Sequence, residues 1–166
     1  MRRVLVVVSV IGVASIGLAM PASASPPQAL HETITFDISA GEDAPGDVEA
    51  TGAINGSGIN EATSGRDTGR ASHSTELQTF DDGTITIKDS GPNTGETFDP
   101  ETCSGTFTQK GQFKVTGGTG AYEGAKGHGH FTVNGEFTAA QNGDGSCNFE
   151  EQTGQVVVTV NGKVKL

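Results

Sequence analysis

The stretch that decides the fold is residues 155–166, which have the sequence QVVVTVNGKVKL. Side chains on a β-strand point alternately to its two faces, so every second residue shares a face. One face of this stretch is apolar along its whole length: Val156, Val158, Val160, Val164 and Leu166. A strand with this pattern needs a hydrogen-bonded neighbour along its whole length. Closing the sheet into a barrel supplies that neighbour and removes exposed edges.

The same alternation runs through the preceding sequence, where Gly, Asn and Asp separate the segments and no helical period appears. The predicted apolar faces are Leu30, Ile34, Phe36 and Ile38; Val48, Ala50, Gly52 and Ile54; Ala71, His73, Thr75 and Leu77; Ile85 and Ile87; Phe107, Phe113 and Val115; and Phe131, Val133 and Phe137. About seven or eight strands with one apolar face each predict an all-β domain. We expect a closed antiparallel β-barrel of about eight strands, with a β-sandwich as the alternative.

The N-terminal segment has the features of a secretory signal peptide. Arg2 and Arg3 precede an uncharged apolar run that ends at Met20, and the small residues of a cleavage site end at Ala24. We therefore expect a signal peptide at residues 1–24, a short arm at 25–29 and a single β-barrel domain at 30–166. Cleavage leaves a chain of ordinary single-domain length, and the predicted location is extracellular.

The composition narrows the classes of partner. The whole chain has a formal net charge of −10, and removal of Arg2 and Arg3 makes the exported domain more acidic still. An acidic surface repels phosphate backbones and anionic lipid headgroups, so neither nucleic acid nor a membrane is expected as a partner. Only 33% of the residues are hydrophobic and 25 of 166 are glycine. These values predict a thin core that needs a covalent link or self-association.

The two cysteines, Cys103 and Cys147, are expected to form that link. A pair of cysteines in an exported chain of this size most often forms an intramolecular disulfide. A structural metal site would need further Cys or His ligands at short spacing, and none stand near either residue.

Residues 117–129, GGTGAYEGAKGHG, predict a glycine turn followed by a tight connection to the next strand, with Tyr122 folded back onto the end of the core. The segment resembles the GGTG-x-[FY]-x-x-A-x-G motif of dirigent proteins and of the wider allene oxide cyclase barrel-like superfamily. The Phe-x-Val-Thr strand before it and the glycine-rich strand after it are similar to those of bacterial secreted members of that group. The motif residues are Gly117, Gly118, Thr119, Gly120, Tyr122, Ala125 and Gly127. The motif covers about a quarter of the exported chain, and beyond it only the number, length and order of the strands agree.

The resemblance implies an eight-stranded antiparallel barrel, often trimeric, with an apolar pocket and no cofactor. Plant relatives bind lipophilic or phenolic intermediates and control how they cyclise or couple. The motif itself shapes the barrel, and the pocket residues of the family cannot be aligned with this chain. The resemblance therefore implies no catalytic residue here.

Polar residues at inward positions are the candidates for chemistry, because burying a polar group without a partner is costly. By the predicted faces these residues are Glu32, His73 and Gln109. Glu32 and His73 are the candidate catalytic pair, as general base and acid, whereas Gln109 and Tyr122 are candidate ligand-binding residues. The alternative is that Glu32 and His73 lie solvated at the barrel rims, or that the predicted register is shifted by one residue, which exchanges the two faces.

His128 and His130 share a strand face and could ligate a metal, but that face is polar and a third ligand is lacking, so no metal site is predicted. The leading functional hypothesis is a secreted barrel that binds a small lipophilic or phenolic molecule and steers its cyclisation or isomerisation without a cofactor. The competing hypothesis is a non-catalytic extracellular structural or interaction protein with a filled core. A cavity of roughly 300 Å³ or more lined by the inward polar residues would favour the first hypothesis.

Overall fold

The computed structural model describes residues 26–41, 44–68 and 71–166, so the predicted signal peptide at 1–24 lies outside the described residues. The strands are β1 (Gln28–Asp37), β2 (Gly46–Gly52), β3 (Gly56–Asp67), β4 (Ala71–Phe80), β5 (Gly83–Asp99), β6 (Ser104–Gly118), β7 (Lys126–Gln141) and β8 (Cys147–Lys165). Two short 3₁₀ turns occupy Ile38–Ala40 and Gly120–Tyr122. Within these described ranges, no helix is long and apolar enough to cross a membrane.

The eight strands form a closed antiparallel barrel in sequential order, which confirms the predicted fold class. The closing pair is β1 with β8, and its register runs from Gln28 opposite Val164 to Asp37 opposite Gln155. The long apolar face of the last strand thus has a partner in the first. Because β1 begins at Gln28, the last two residues of the predicted arm at 25–29 belong to the first strand.

Most predicted faces are confirmed, and four details are wrong. Leu166 does not continue the apolar face of β8, because it lies beyond the end of the strand and is 41% exposed. Ile38 leaves the apolar face of β1 because the strand gives way there to a 3₁₀ turn, which the Asp37 side chain caps by accepting a hydrogen bond from the Ser39 amide. The whole face of β4 is inverted, as described below for His73. The strand β3 was not predicted, because its only large apolar side chain, Ile59, lies outward and is 40% exposed.

The high glycine content has a packing cause. Six of the eight phenylalanine rings lie so close to a glycine on a neighbouring strand that a Cβ there would approach the ring to less than 3.0 Å. The pairs are Phe36 with Gly46, Phe80 with Gly58, Phe107 with Gly135, Phe113 with Gly129 and Gly162, Phe131 with Gly111, and Phe137 with Gly105. A glycine inside a strand commonly marks such a close approach. Rings packed against strand glycines in this way help a chain with few large apolar residues to fill the barrel.

The strands β5 to β8 are longer than the others, and the disulfide lies where they project beyond the barrel. Cys103 and Cys147 are bonded, with Cα atoms 5.5 Å apart, which confirms the predicted pairing. The Ala139 amide of β7 donates to the Cys103 carbonyl oxygen, and Gln141 pairs with Cys147. The disulfide therefore joins the turn before β6 to the start of β8 across the end of β7.

The glycine turn closes the opposite end of the barrel. Tyr122 is buried at 5% exposure, and its ring meets the edge of Phe80 with centroids 5.8 Å apart. The turn is held to the β4–β5 hairpin because Ala121 donates its amide hydrogen to the Asp82 carbonyl oxygen and Thr119 donates to that of Thr84. The prediction that Tyr122 covers the end of the core is confirmed.

Three glycines around this turn allow strain to be separated from steric contact. Gly120 has a φ of +62°, and an added Cβ would lie 2.3 Å from the Asp82 carbonyl oxygen. Gly124 has a φ of +79° in open space, and Gly117 has neither constraint. We expect Gly120→Ala to cost more than about 2 kcal/mol of unfolding free energy, Gly124→Ala about 1 kcal/mol and Gly117→Ala under about 0.5 kcal/mol. Urea unfolding with the disulfide intact measures all three, and equal values would show that the turn is not part of the barrel closure.

Candidate functional site

The candidate site begins with the inner face of β4. Residues opposite each other in an antiparallel pair share a face, and β4 places Glu76 opposite Ile87 and Gln78 opposite Ile85. Ile85 and Ile87 are buried in the core, at 0% and 4% exposure, so Glu76 and Gln78 must point inward with them. The inner face of β4 is consequently polar.

This geometry corrects the prediction for His73. The face with Ala71, His73, Thr75 and Leu77 lies on the outside of the barrel, and His73 is exposed. The predicted catalytic pair of Glu32 and His73 is therefore not assembled. The prediction assumed that Leu77 points into the core. Pairing with the buried Ile85 and Ile87 instead turns its two neighbours, Glu76 and Gln78, inward.

The barrel encloses a cavity of about 150 Å³ with two chemically different walls. The apolar wall consists of Ile34, Phe36, Ile87, Phe113, Phe131, Val133, Val158 and Val160, mostly from β1, β7 and β8. The polar wall consists of Ser72, Ser74, Glu76, Gln78, Asp89 and Gln109, mostly from β4 and β5. An apolar cavity of about this size holds a single aromatic ring, so the space fits a small molecule with one polar side.

Two carboxyl groups on the polar wall share one hydroxyl group. Ser74 Oγ lies 3.1 Å from Glu76 Oε1 and 2.5 Å from Asp89 Oδ2. A hydroxyl has a single hydrogen to donate, so both contacts are hydrogen bonds only when one carboxyl is protonated. Burial, and secondly the Asp89 charge, raise the pKa of Glu76 to about 7. Glu76 and Asp89 thus form a carboxyl pair that retains a proton up to near-neutral pH.

Glu32 lies inside the barrel, as predicted, at 2% exposure. Gln78 Nε2 donates a hydrogen bond of 3.1 Å to Glu32 Oε2, and burial raises the pKa of Glu32 to about 7 against the smaller, opposite effect of this bond. Three buried acceptor atoms have no hydrogen-bond partner among the described residues: Glu32 Oε1, Asn60 Oδ1 and Gln78 Oε1. The interior is therefore rich in acceptors and short of donors.

Gln109 lines both the cavity and a neighbouring hollow. Its Nε2 donates to Ser72 Oγ at 2.6 Å and to the Gly91 carbonyl oxygen at 3.2 Å. A wider hollow of about 430 Å³ shares Ser72, Gln109 and Val133 with the cavity and is otherwise lined by Gly95, Glu96, Phe107 and Thr108. Gln109 thus lies where the cavity meets its entrance, consistent with the ligand-contact role predicted for it.

Tyr122, the other predicted ligand-binding residue, is not among the described residues that line the cavity. It belongs to the closed end with Phe80. Sequence reasoning missed Glu76, Gln78 and Asp89. The signal for Glu76 and Gln78 was the period-two pattern counted backwards from Phe80, and the signal for Asp89 was the same pattern counted forwards from Ile85 and Ile87.

His128 and His130 lie on the exposed outer face, as expected. His128 pairs with Lys114 on one side and Lys163 on the other, and Lys114 pairs with Lys88. A cation in that row would meet like charges rather than ligands. No group of three His, Cys, Asp or Glu side chains in the described part of the chain is placed to hold a metal ion.

The motif at residues 117–127 resembles the dirigent and allene oxide cyclase group, but the wider comparisons add nothing to this resemblance. No protein-family model, curated protein or solved structure matches the chain. Membership of that group stays a prediction that rests on seven motif residues and on the strand order.

Proposed function

We propose that this protein is a secreted barrel that binds a small, mostly lipophilic molecule in its interior. The cavity with one apolar and one polar wall carries the proposal, because a core evolved only for packing has no need of two carboxyl groups there. Such a mixture of apolar surface and a few convergent polar groups is typical of ligand sites. The disulfide is consistent with an oxidising extracellular environment.

The carboxyl pair gives the bound molecule a route to proton transfer. The protonated carboxyl of Glu76 donates its proton to one atom of the ligand while the Asp89 carboxylate takes a proton from another. A double bond would then move and the pair would keep one proton, so no cofactor is required. Glu76 and Asp89 replace Glu32 and His73 as the residues proposed to steer a cyclisation or isomerisation.

The volume of about 150 Å³ supports a second candidate function. It is half of the roughly 300 Å³ at which most ligand pockets begin. Phenylalanine rings over strand glycines take up much of the interior, and a non-catalytic extracellular structural or interaction protein would need no larger space. The two candidates differ in whether a ring-sized molecule enters the barrel.

Filling the cavity distinguishes the two candidates. Val158 lines the apolar wall, and its neighbour Val157 has the opposite orientation on β8. We expect benzyl alcohol to shift the amide resonances of Ile34, Phe113 and Phe131 in the purified exported protein. Val158→Phe should abolish these shifts, whereas Val157→Phe should retain them.

Mass spectrometry of extracts should identify the same small molecules in the unaltered protein and in Val157→Phe. These molecules should be absent from Val158→Phe. Persistence of the same molecules and of the benzyl alcohol shifts in Val158→Phe would place binding outside the barrel. Absence of both in the unaltered protein would favour the filled-core candidate.

A further inference from the structure

The cavity contains negative charge without a compensating positive charge. Glu76 and Asp89 line it, Glu32 lies behind Gln78, and Glu96 lies at the entrance. No Lys, Arg or His occurs among the described residues that line the cavity or its entrance. A buried carboxylate without a cationic partner is unfavourable, so this interior is electrostatically incomplete.

The unpartnered atoms indicate the same missing chemistry. Gln78 lines the cavity at 0% exposure and has no partner for Oε1, and Glu32 at 2% exposure has none for Oε1, among the described residues. Both atoms are acceptors, as are the carboxylate oxygens of Glu76 and Asp89. A ligand that completes the site must therefore supply several N–H donors.

A bare metal ion does not meet this requirement. The described carboxyl groups are not arranged as a set of three metal ligands. The apolar wall of the cavity carries the rings of Phe36, Phe113 and Phe131, and Phe113 lies directly beside Asp89 in the pairing of β5 with β6. Aromatic faces attract organic cations, and an ammonium group on a ring-sized apolar body presents both donors and positive charge.

We propose that the ligand of this barrel is a small organic cation, a primary ammonium attached to a single-ring apolar body. This inference rests on the proposed binding function and names its ligand class. The ammonium group contacts the Glu76 and Asp89 carboxyls and Gln78 Oε1, and the ring occupies the apolar wall. The singly protonated carboxyl pair carries one negative charge, which a monocation neutralises.

The charge state of the site makes binding of the cation depend on pH. The other titratable groups near the pair among the described residues are Glu32 from β1, which accepts a hydrogen bond from Gln78 of the same polar wall, and Glu96, which lines the adjoining hollow. Asn60 from β3 bonds to Glu76 and Gln109 from β6 lines the cavity, and neither titrates. The described inward residues of β2, of β7 from Gly127 to Ala139 and of β8 from Gly154 to Val164 are apolar or glycine, and Gln152 lies beyond this part of β8, opposite Ala139. Glu76 and Glu32 ionise near pH 7, so affinity for a cation should rise between pH 5 and pH 8.

Three probes with the same ring test the inference: benzylamine, benzyl alcohol and benzoate. With amide-resonance titrations of the exported protein, we expect benzylamine to bind at least about tenfold more tightly than benzyl alcohol at pH 8, and benzoate not to bind. At pH 5 the preference for benzylamine should fall to about threefold or less, because the site then carries less negative charge.

Variants assign the effect to the carboxyl pair. Glu76→Gln or Asp89→Asn should reduce the preference for benzylamine about tenfold, whereas Glu49→Gln, an exposed change of the same charge on β2, should leave it unchanged. If Glu76→Gln and Asp89→Asn unfold, carbon-13 NMR of the carboxyl groups in the unaltered protein tests the same contact. Saturating benzylamine must then lower the pKa of Glu76.

Each outcome has a definite meaning. Benzyl alcohol binding as tightly as benzylamine at pH 8, or a Glu76 titration that benzylamine leaves unchanged, would overturn the cation inference and leave the binding function standing. Binding of none of the three probes would overturn the proposed function itself.

Discussion

Replacing both Cys103 and Cys147 with serine is expected to lower the free energy of unfolding by about 4 kcal/mol. The two residues are 44 positions apart, so the disulfide restricts a large part of the unfolded chain, and the expected loss follows from restoring that freedom. Domains of this size are stable by roughly 5–15 kcal/mol. The double variant should therefore retain its fold only marginally.

Equilibrium unfolding in urea measures this loss. The unaltered protein in strong reductant should approach the stability of the double variant, and reductant should have no effect on the double variant itself. Before reduction, thiol labelling should find no free cysteine. A loss below about 1 kcal/mol would show that the extension of β5 to β8 holds together without the disulfide.

The second large effect concerns pH. Glu32 has a pKa of about 7 in the folded protein and about 4.5 when unfolded, because burial disfavours its charged form. Between these values the folded state binds a proton that the unfolded state does not, so stability is highest below about pH 4.5 and falls as the pH rises to about 7. The buried Glu32 alone should contribute a fall of about 2–3 kcal/mol.

The Glu32→Gln variant isolates this contribution. Glutamine can still accept the hydrogen bond from Gln78 but carries no charge, so at pH 8 the variant should be more stable than the unaltered protein by about 2 kcal/mol. At pH 4.5 the two should be nearly equal. The control Glu49→Gln, on the outer face, should leave the pH profile unchanged.

Other titratable groups also affect how the free energy of unfolding depends on pH. Glu76 acts in the same direction, so part of the slope should remain in Glu32→Gln. Asp37, Asp99 and Asp144 have lowered pKa values because backbone or side-chain groups donate hydrogen bonds to them, and their stabilising effect is lost only below about pH 4. A stability that rises between pH 5 and pH 7 would contradict the buried state of Glu32.

The closed barrel, the disulfide and the inward position of Glu32 could all be predicted. Each follows either from the alternation of residues within single strands or from the number of cysteines. Alternating apolar residues fix the inner face of a strand wherever they are frequent, as in β8. Two cysteines leave only one intramolecular pairing. Glu32 shares a face with Leu30 and Ile34, so its strand alone determines its burial.

The sequence by itself predicted the all-β class and seven of the eight strands, because period-two burial is a property of each strand. Only the tertiary structure decided the site. The inner face of β4 is fixed by pairing with Ile85 and Ile87, and β3 is recognisable only because Gly58 lies against Phe80 and Asn60 bonds to Glu76. The polar residues of β4 carry a weaker signal of burial than Glu32, because Phe80 is the single large apolar side chain on their face of the strand, and pairing with the neighbouring strand decides which face is enclosed.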